Sequence, residues 1–360
     1  MTSLSRRTLL RGAGACLAFP AIAGCTDPLA GAAGIRVLRT PGDGIVPSAR
    51  FGPGDLLHVV YLEDRNVQHV TSADRGKGFS APVRVNDRPS FASGGLFRGP
   101  ELALGDDGST HVIWYSRAWE LSTDRAEQGP MYARAAPGAP FLPSRNVGKE
   151  PADGLSIAMQ GDQVAIVWHN GDALKLLRSD DAGRSFGAAA VLDALPCECC
   201  DTSLHLRRNG AALVVYRDRL DDHRDMFMAS LEADPARGSK VRLDTESWIL
   251  KGCPISGNGA AFSDDSAVVA WEHDGRILMS RVGLADLRVS APRTLGSGRY
   301  PLVLGNADSV LVAWNEGKEL VWRRYEAASL RQRDQGSVRR TTTHRAGAAV
   351  APDGEFVLVV

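Results

Sequence analysis

Residues 56–79 read LLHVVYLEDRNVQHVTSADRGKGF and contain the two signals that decide the fold. The first is a run of β-forming residues that leads to an aromatic residue, Tyr61. The second is the segment Ser72–Phe79, which fits the pattern S-x-D-x-G-x-x-F. Turn residues separate the two signals, so this stretch predicts consecutive short strands of an antiparallel sheet.

The same two signals recur at residues 163–186, where the aromatic residue is Trp168 and the patterned segment is Ser179–Phe186. In both copies the patterned segment begins 11 residues after the aromatic residue. Two matches at the same phase of one repeat are much stronger evidence than either match alone.

Each unit of the repeat consists of a short apolar segment, a turn that contains Gly or Asp, and a run of alternating apolar residues. The repeat has seven units, Ile45–Tyr61, Phe97–Trp114, Gly154–Trp168, Cys200–Tyr216, Gly257–Trp271, Tyr300–Trp314 and His344–Val360. Successive units end 43 to 55 residues apart, which is room for about four short strands each. This spacing predicts an all-β fold, a six- or seven-bladed β-propeller with four-stranded blades. We expect the recurring Trp and Tyr residues to pack between blades, and Ile35–Leu38 to complete the last unit, which has only two strands.

The patterned segments resemble the Asp boxes of the sialidase (BNR/Asp-box) superfamily of β-propellers, and the resemblance covers roughly residues 35–360. Ser and Asp side chains can hold nearby backbone amides in a turn, while Gly supplies a positive φ. We therefore expect the boxes to hold hairpin turns and to take no part in catalysis. Their residues are Ser72, Asp74, Gly76, Phe79, Ser179, Asp181, Gly183 and Phe186. Ser122–Asp124 resembles a degenerate third box.

The resemblance also implies a set of catalytic residues. A sialidase holds the sugar carboxylate with three arginines and attacks with a tyrosine paired to a glutamate, with an aspartate as acid/base. Phe97-Arg98-Gly99-Pro100 resembles the family's F-R-I-P motif, with Gly in place of Ile. The implied set is Arg98, Arg299 and Arg345 for the carboxylate, Tyr300 as nucleophile, and Glu316 or Glu272 as its partner. The motif departs from the family in following the first Asp box, and no aspartate stands out as the acid.

Residues 1–24 have the layout of an export signal. Arg6 and Arg7 precede a short apolar stretch, and this arrangement resembles a twin-arginine (Tat) signal. Residues 22–25 resemble a lipobox, which makes Cys25 the expected lipidated first residue of the mature chain. We expect Tat export, a tether over residues 25–34, and a lipid anchor in a membrane of the cell envelope, facing the periplasm or the cell surface. A cleaved signal without a lipid is the alternative.

Charge excludes one class of partner. The 360 residues contain 42 Lys and Arg against 42 Asp and Glu, and removing residues 1–24 removes three arginines and no acids, which leaves 39 − 42, or −3. A chain with no basic stripe and no positive excess is not expected to bind nucleic acid.

Four further cysteines are the least ordinary feature of the sequence. Cys197, Cys199 and Cys200 open the fourth unit and Cys253 precedes the fifth, so adjacent blades bring both loops to one rim. An exported protein can use them as disulfides, and the easier pairing is Cys197–Cys200 with Cys199–Cys253. Alternatively the four thiolates surround a soft ion such as Cu(I) or Zn(II), or form a redox-active pair.

These observations predict an exported, lipid-anchored binding protein whose cysteine-rich rim binds a soft metal such as copper, with a glycan or a protein as a further ligand. The alternative is an exo-sialidase-type glycoside hydrolase. The two differ in geometry, because the enzyme requires Arg98, Arg299 and Arg345 in one pocket with Tyr300 within hydrogen-bond reach of a glutamate.

Overall fold

A computed structural model describes residues 33–232 and 238–360. They form seven antiparallel-rich sheets whose innermost strands contact one another in chain order, with the first also contacting the last. The chain is therefore a seven-bladed β-propeller, as the count of seven repeat units predicted. The export signal, Cys25 and most of the tether lie outside the described residues. In the described part of the chain, no helix is long and apolar enough to cross a membrane.

The strands follow the repeat, with each blade built from the inner strand outward. The first strand, β1 (Ile35–Leu38), belongs to the seventh blade. The first blade contains β2 (Ile45–Gly52), β3 (Leu56–Glu63), β4 (Asn66–Ser72) and β5 (Val83–Arg84). The second contains β6 (Ala92–Ser93), β7 (Glu101–Leu104), β8 (Thr110–Ser116), β9 (Pro130–Ala135) and β10 (Arg145–Asn146), with β6 and β7 both paired to β8. The third contains β11 (Asp153–Gln160), β12 (Gln163–His169), β13 (Ala173–Ser179) and β14 (Ala190–Ala194).

The remaining blades continue the same order. The fourth contains β15 (Ser203–Leu206), β16 (Ala212–Arg217), β17 (Met226–Leu231) and β18 (Ser239–Arg242). The fifth contains β19 (Asn258–Phe262), β20 (Ser266–His273), β21 (Arg276–Gly283) and β22 (Arg293–Ser297). The sixth contains β23 (Arg299–Gly305), β24 (Ser309–Glu316), β25 (Glu319–Glu326) and β26 (Gln332–Arg339), and the seventh contains β27 (Gly347–Val350) and β28 (Phe356–Val359) with β1. The helical segments of the described chain are α1 (Ala118–Leu121) and the 3-10 turns Pro53–Asp55 and Arg125–Gln128.

The ring closes through β1, as predicted for Ile35–Leu38. This strand pairs parallel to β28, with Ile35 opposite Phe356 and Leu38 opposite Val359. The seventh blade is thus built from both ends of the described chain. It has three strands rather than the four of a complete blade.

The repeated aromatic residues pack between blades, as predicted. They lie on the second strand of each blade and are at most 2% exposed, at Tyr61, Trp114, Trp168, Tyr216, Trp271 and Trp314. Four of them also donate a hydrogen bond to the preceding blade, in its last strand or just after it. The pairs are Trp168 with Glu150, Tyr216 with Asp193, Trp271 with Asp244, and Trp314 with the Ser297 carbonyl. Each aromatic side chain therefore fixes the orientation of neighbouring blades as well as filling the space between them.

Both Asp boxes form the turn after the third strand of their blade. In the second box, the Ser179 Oγ atom accepts from the Gly183 amide at 2.9 Å and donates to Asp181 Oδ1 at 2.7 Å. Gly183 has φ +71°, and a Cβ atom there would collide with the Tyr132 hydroxyl of the preceding blade. The box therefore holds its own turn and packs against the neighbouring blade. The proposed third box, Ser122–Asp124, is not such a turn, because it lies between β8 and β9, where Asp124 caps the 3-10 turn through the Ala126 amide.

We predict that Ser179→Ala lowers the free energy of unfolding by about 1 to 2 kcal/mol, because the buried Gly183 amide loses its acceptor. Urea unfolding followed by circular dichroism measures this change. The control is Ser185→Ala, which removes an exposed hydroxyl in the same turn that bonds only Asp181 and should change stability by less than about 0.5 kcal/mol. Equal effects of the two substitutions would contradict a role for the buried hydrogen bond.

Candidate functional site

The two faces of the propeller differ in what they carry. The Asp-box turns lie on one face, together with the start of β1, where Arg324 donates to the Ala33 carbonyl and Arg75 of the first box pairs with Asp353. The opposite face, called the rim face here, contains the loops that lead into the inner strands and the loops that follow the second strands. In the fourth blade these two loops are joined by the Cys197 amide, which donates to the Arg217 carbonyl at 2.9 Å.

The four cysteines come together on the rim face. Cys199 and Cys253 are paired as a disulfide with a Cα–Cα distance of 6.4 Å, whereas Cys197 and Cys200 are thiols. The Cys200 thiol lies 3.8 Å from the Cys197 sulfur. The sulfur atoms of Cys197, Cys199 and Cys253 all lie within 4.8 Å of one another. One of the two expected disulfides is therefore present, and the other pair is in contact without a bond. These four cysteines are called the cysteine cluster below.

Two buried arginines surround the cysteine cluster. Arg217 is 1% exposed and donates to the carbonyls of Arg224 and Glu272. Arg224 is 6% exposed and donates to the carbonyls of Gly252 and Asp221. Neither guanidinium forms an ion pair with a carboxylate in the described ranges. The hydrogen bond from Cys200, together with these two charges, lowers the pKa of the Cys197 thiol, whereas burial raises the pKa of the Cys200 thiol.

A charge network occupies the centre of the rim face. The Arg98 Nε atom lies 2.7 Å from Asp153 Oδ1, and the second nitrogen bonds the other carboxylate oxygen, so the pair is bidentate. Arg345 bonds Glu101, and its Nη1 atom also lies 3.6 Å from Asp201 Oδ2. Burial raises the pKa of Asp201 to about 7, although Arg345 opposes this effect. Arg345 thus connects the seventh, second and fourth blades across the axis.

Tyr300 lies beside this network but has a different partner from the one expected. Its ring stacks on Phe97 with centroids 5.5 Å apart, and its hydroxyl interacts with Arg299. Arg299 in turn lies 3.6 Å from the buried carboxylate of Glu272, whose pKa is raised by burial. Glu316 is exposed at the end of β24. In the described part of the chain, Tyr300 makes no hydrogen bond to a glutamate.

The structure therefore brings Arg98 and Arg345 to the centre, but each already neutralises a carboxylate of this chain. Arg299 is half exposed and lies next to Glu272 rather than beside Arg98. A sialidase needs three arginines free to hold a substrate carboxylate. In this geometry two of the three arginines are occupied, so the hydrolase interpretation receives little support.

A cavity of about 590 Å³ opens on the rim face between the second and third blades. Arg98 and Asp153 form part of its wall, together with Trp119, Tyr115, His169 and Glu198. It adjoins the cysteine cluster, because Glu198 lies between Cys197 and Cys199 and the His169 Nε2 atom is 3.0 Å from the Cys200 carbonyl.

Two residues of the rim face, Trp119 and Glu101, were not predicted from the sequence, because neither belongs to the repeat or to a recognised motif.

Comparisons with known proteins show the fold only. The sequence matches no family profile and no curated protein. Among solved structures, hydrazine synthase of Kuenenia stuttgartiensis is similar with a TM-score of 0.57 and 10% identity, over 88% of this chain and 92% of that one. The SapL1 lectin, solved with α-methyl fucoside, has a TM-score of 0.52 and 11% identity, over 83% and 96% of the two chains. The NanB sialidase of Streptococcus pneumoniae has a TM-score of 0.49 and 8% identity, over 85% and 70%. Hydrazine synthase and the lectin have different functions, so the shared fold does not select between them.

Proposed function

We propose that this chain is an exported, lipid-anchored binding protein whose four clustered cysteines hold a soft metal ion, Cu(I) or Zn(II). The observation that carries this proposal is the convergence of the Cys197, Cys199 and Cys253 sulfur atoms from two loops on adjacent blades, with the Cys200 sulfur in contact with that of Cys197. Thiolates are the ligands that such ions prefer in proteins.

The spacing of the Cys197 and Cys200 sulfurs matches that of two ligands in a thiolate centre. Zinc binds thiolates at about 2.3 Å in a tetrahedron, which places neighbouring sulfurs about 3.8 Å apart. The Cys197 and Cys200 sulfurs are 3.8 Å apart. Those of Cys199 and Cys253 lie within 4.8 Å of Cys197 and are joined as a disulfide, so the proposal requires that the ion binds the four thiols before this bond forms.

The positive charges of two buried arginines favour a negatively charged metal–thiolate centre at this position. Four thiolates around a divalent ion carry a net charge of −2, and around Cu(I) a charge of −3. Arg217 and Arg224 are buried beside the cluster, where Arg217 interacts with the carboxylate of Glu272 but forms no close ion pair in the described ranges, and a buried cation is costly unless anions lie near it. The thiolates provide these anions, so the two arginines and the metal centre stabilise each other.

The fold also agrees with an anchored protein. The first strand of the propeller, β1, begins at Ile35, and this end of the strand lies on the Asp-box face. A tether attached there leaves the cysteine cluster on the opposite face. In this proposal the rim face is turned away from the membrane and is open to ligands.

The test is metal analysis with thiol counting on the chain from residue 26, purified without reductant or chelator. We expect close to one copper or zinc per chain, and four thiols after unfolding with a chelator. Cys197→Ser and Cys253→Ser should each lower the bound metal at least tenfold. His223→Ala is the control, because this rim histidine bonds Ser247 and is not in the cluster.

A protein with no metal and either two free thiols or none would overturn the proposal and make the Cys199–Cys253 disulfide a clamp between the fourth and fifth blades. Metal that persists in Cys197→Ser and Cys253→Ser but is lost in His223→Ala would move the site elsewhere on the rim.

A further inference from the structure

We propose that the cavity between the second and third blades binds the end of a neutral carbohydrate. This cavity adjoins the cysteine cluster but has no cysteine in its wall, and the proposal does not rest on the proposed metal. Its volume of about 590 Å³ lies within the range of small-ligand pockets, about 300 to 1,000 Å³. Its wall combines one exposed aromatic ring with polar side chains, which is the combination that a sugar requires.

Trp119 provides the aromatic surface. It lies in α1, in the loop after the second strand of its blade, and is 60% exposed. Its indole N–H donates to the Ser93 Oγ atom at 3.0 Å, so the ring is held in place without being covered. An exposed ring fixed at the mouth of a cavity offers a flat apolar face, and the C–H face of a sugar ring packs against such a surface.

Polar groups line the rest of the wall. The Tyr115 hydroxyl accepts from the Leu155 amide at 3.1 Å, which leaves its own proton free to donate. The carboxylates of Asp153 and Glu198 are acceptors. His169 donates from Nε2 to the Cys200 carbonyl, which fixes the orientation of its ring in the wall. Sugar hydroxyls both donate and accept, so they suit a wall that is rich in acceptors and has a donor.

The charge of the wall selects a neutral ligand. Arg98 is the cation of the wall, and Asp153 neutralises it by a bidentate pair. Glu198 is the remaining charged residue of the wall, and Arg219 lies 3.6 Å from its carboxylate. An acidic sugar such as a sialic acid would therefore find no free guanidinium in the wall, because Arg98 is already paired with Asp153. This distinguishes the site from that of a sialidase.

The test is binding of the full mature chain to neutral oligosaccharides and to sialyllactose, each up to about 10 mM, by calorimetry. We expect a neutral oligosaccharide to bind and sialyllactose not to bind. Trp119→Ala should weaken binding at least tenfold, whereas Leu121→Ala should not. Leu121 is the matched control because it is 57% exposed in the same short helix and does not line the cavity.

A second readout is tryptophan fluorescence, since Trp119 is the one tryptophan among the exposed large hydrophobic residues of the described ranges. A bound sugar should shift the emission of the protein, and Trp119→Phe should remove the shift. The proposal is overturned if no neutral sugar binds, if sialyllactose binds more tightly, or if Trp119→Ala binds as the parent does. Cys253→Ser should still bind the sugar, so failure of the metal proposal and failure of this one are separate results.

Discussion

A chain that begins at residue 40 should lose most of its stability, whereas one that begins at residue 33 should fold. The first chain lacks β1, whose side chains Ile35, Val37 and Leu38 are at most 3% exposed. Burying such a side chain contributes about 1.5 to 3 kcal/mol, so the three together contribute up to about 5 to 9 kcal/mol. That is comparable with the whole stability of a typical domain. Loss of β1 also exposes an edge of β28 at the point where the ring closes.

Thermal and urea unfolding of the two chains measures this effect, with solubility as a second readout. A pair of point substitutions separates burial from chain length. Val37→Asn places an amide in the core and should destabilise by several kcal/mol, whereas Arg39→Asn changes an exposed residue of the same segment and should have little effect. If the chain from residue 40 unfolds at the same urea concentration as the chain from residue 33, closure through β1 is not needed for stability.

The blades could be predicted from the sequence because their signals are local and repeated. A buried aromatic residue recurs at the same point of each of six units, and each Asp box holds its own turn through its own side chains. Such features depend on neighbours within a few residues or on the adjacent blade. The prediction of a third Asp box at Ser122–Asp124 was wrong for a local reason too. This segment has the Ser and Asp of the pattern but lacks the glycine two residues later that the turn requires.

The centre of the rim face could not be predicted in this way. Arg98 pairs with Asp153 of the adjacent blade, whereas Arg345 of the seventh blade reaches Glu101 of the second and Asp201 of the fourth, which lie far from it in the sequence. Which carboxylate meets which arginine depends on side-chain packing at the axis, and the repeat carries no information about it. The sequence could predict that Cys253 lies close to Cys197 and Cys199. This follows once the loops that lead into the inner strands of adjacent blades lie on the same face of the propeller.

Acid should destabilise the protein through buried neutral histidines. His111 is fully buried between the Tyr132 hydroxyl, at 2.7 Å, and Ser109. Burial lowers the pKa of His111 to about 4, and the charge of Arg134 acts in the same direction. Burial, together with His58, lowers the pKa of His69 to about 3.

The sign of the effect follows from proton binding. In the unfolded chain a histidine has a pKa of about 6.5, so below that pH the unfolded state binds protons that the folded state does not. Stability is therefore complete above pH 6.5 and is lost as the pH falls toward the folded pKa. Between pH 7 and pH 4.5, each of the two histidines should remove about 2 kcal/mol of the free energy of unfolding.

The decisive comparison is the cost of His111→Gln at two pH values, because subtracting the variant from the parent cancels the titration of all other groups. The substitution should cost about 2 kcal/mol less at pH 4.5 than at pH 7, since glutamine takes up no proton in either state. Tyr132→Phe is the matched control. It removes the hydrogen-bond partner of His111 but not the titrating group, so its cost should change far less with pH. A cost of His111→Gln that is the same at both pH values would mean that His111 binds its proton as readily in the folded chain as in the unfolded one. The buried His111–Tyr132 contact would then have to accommodate an imidazolium.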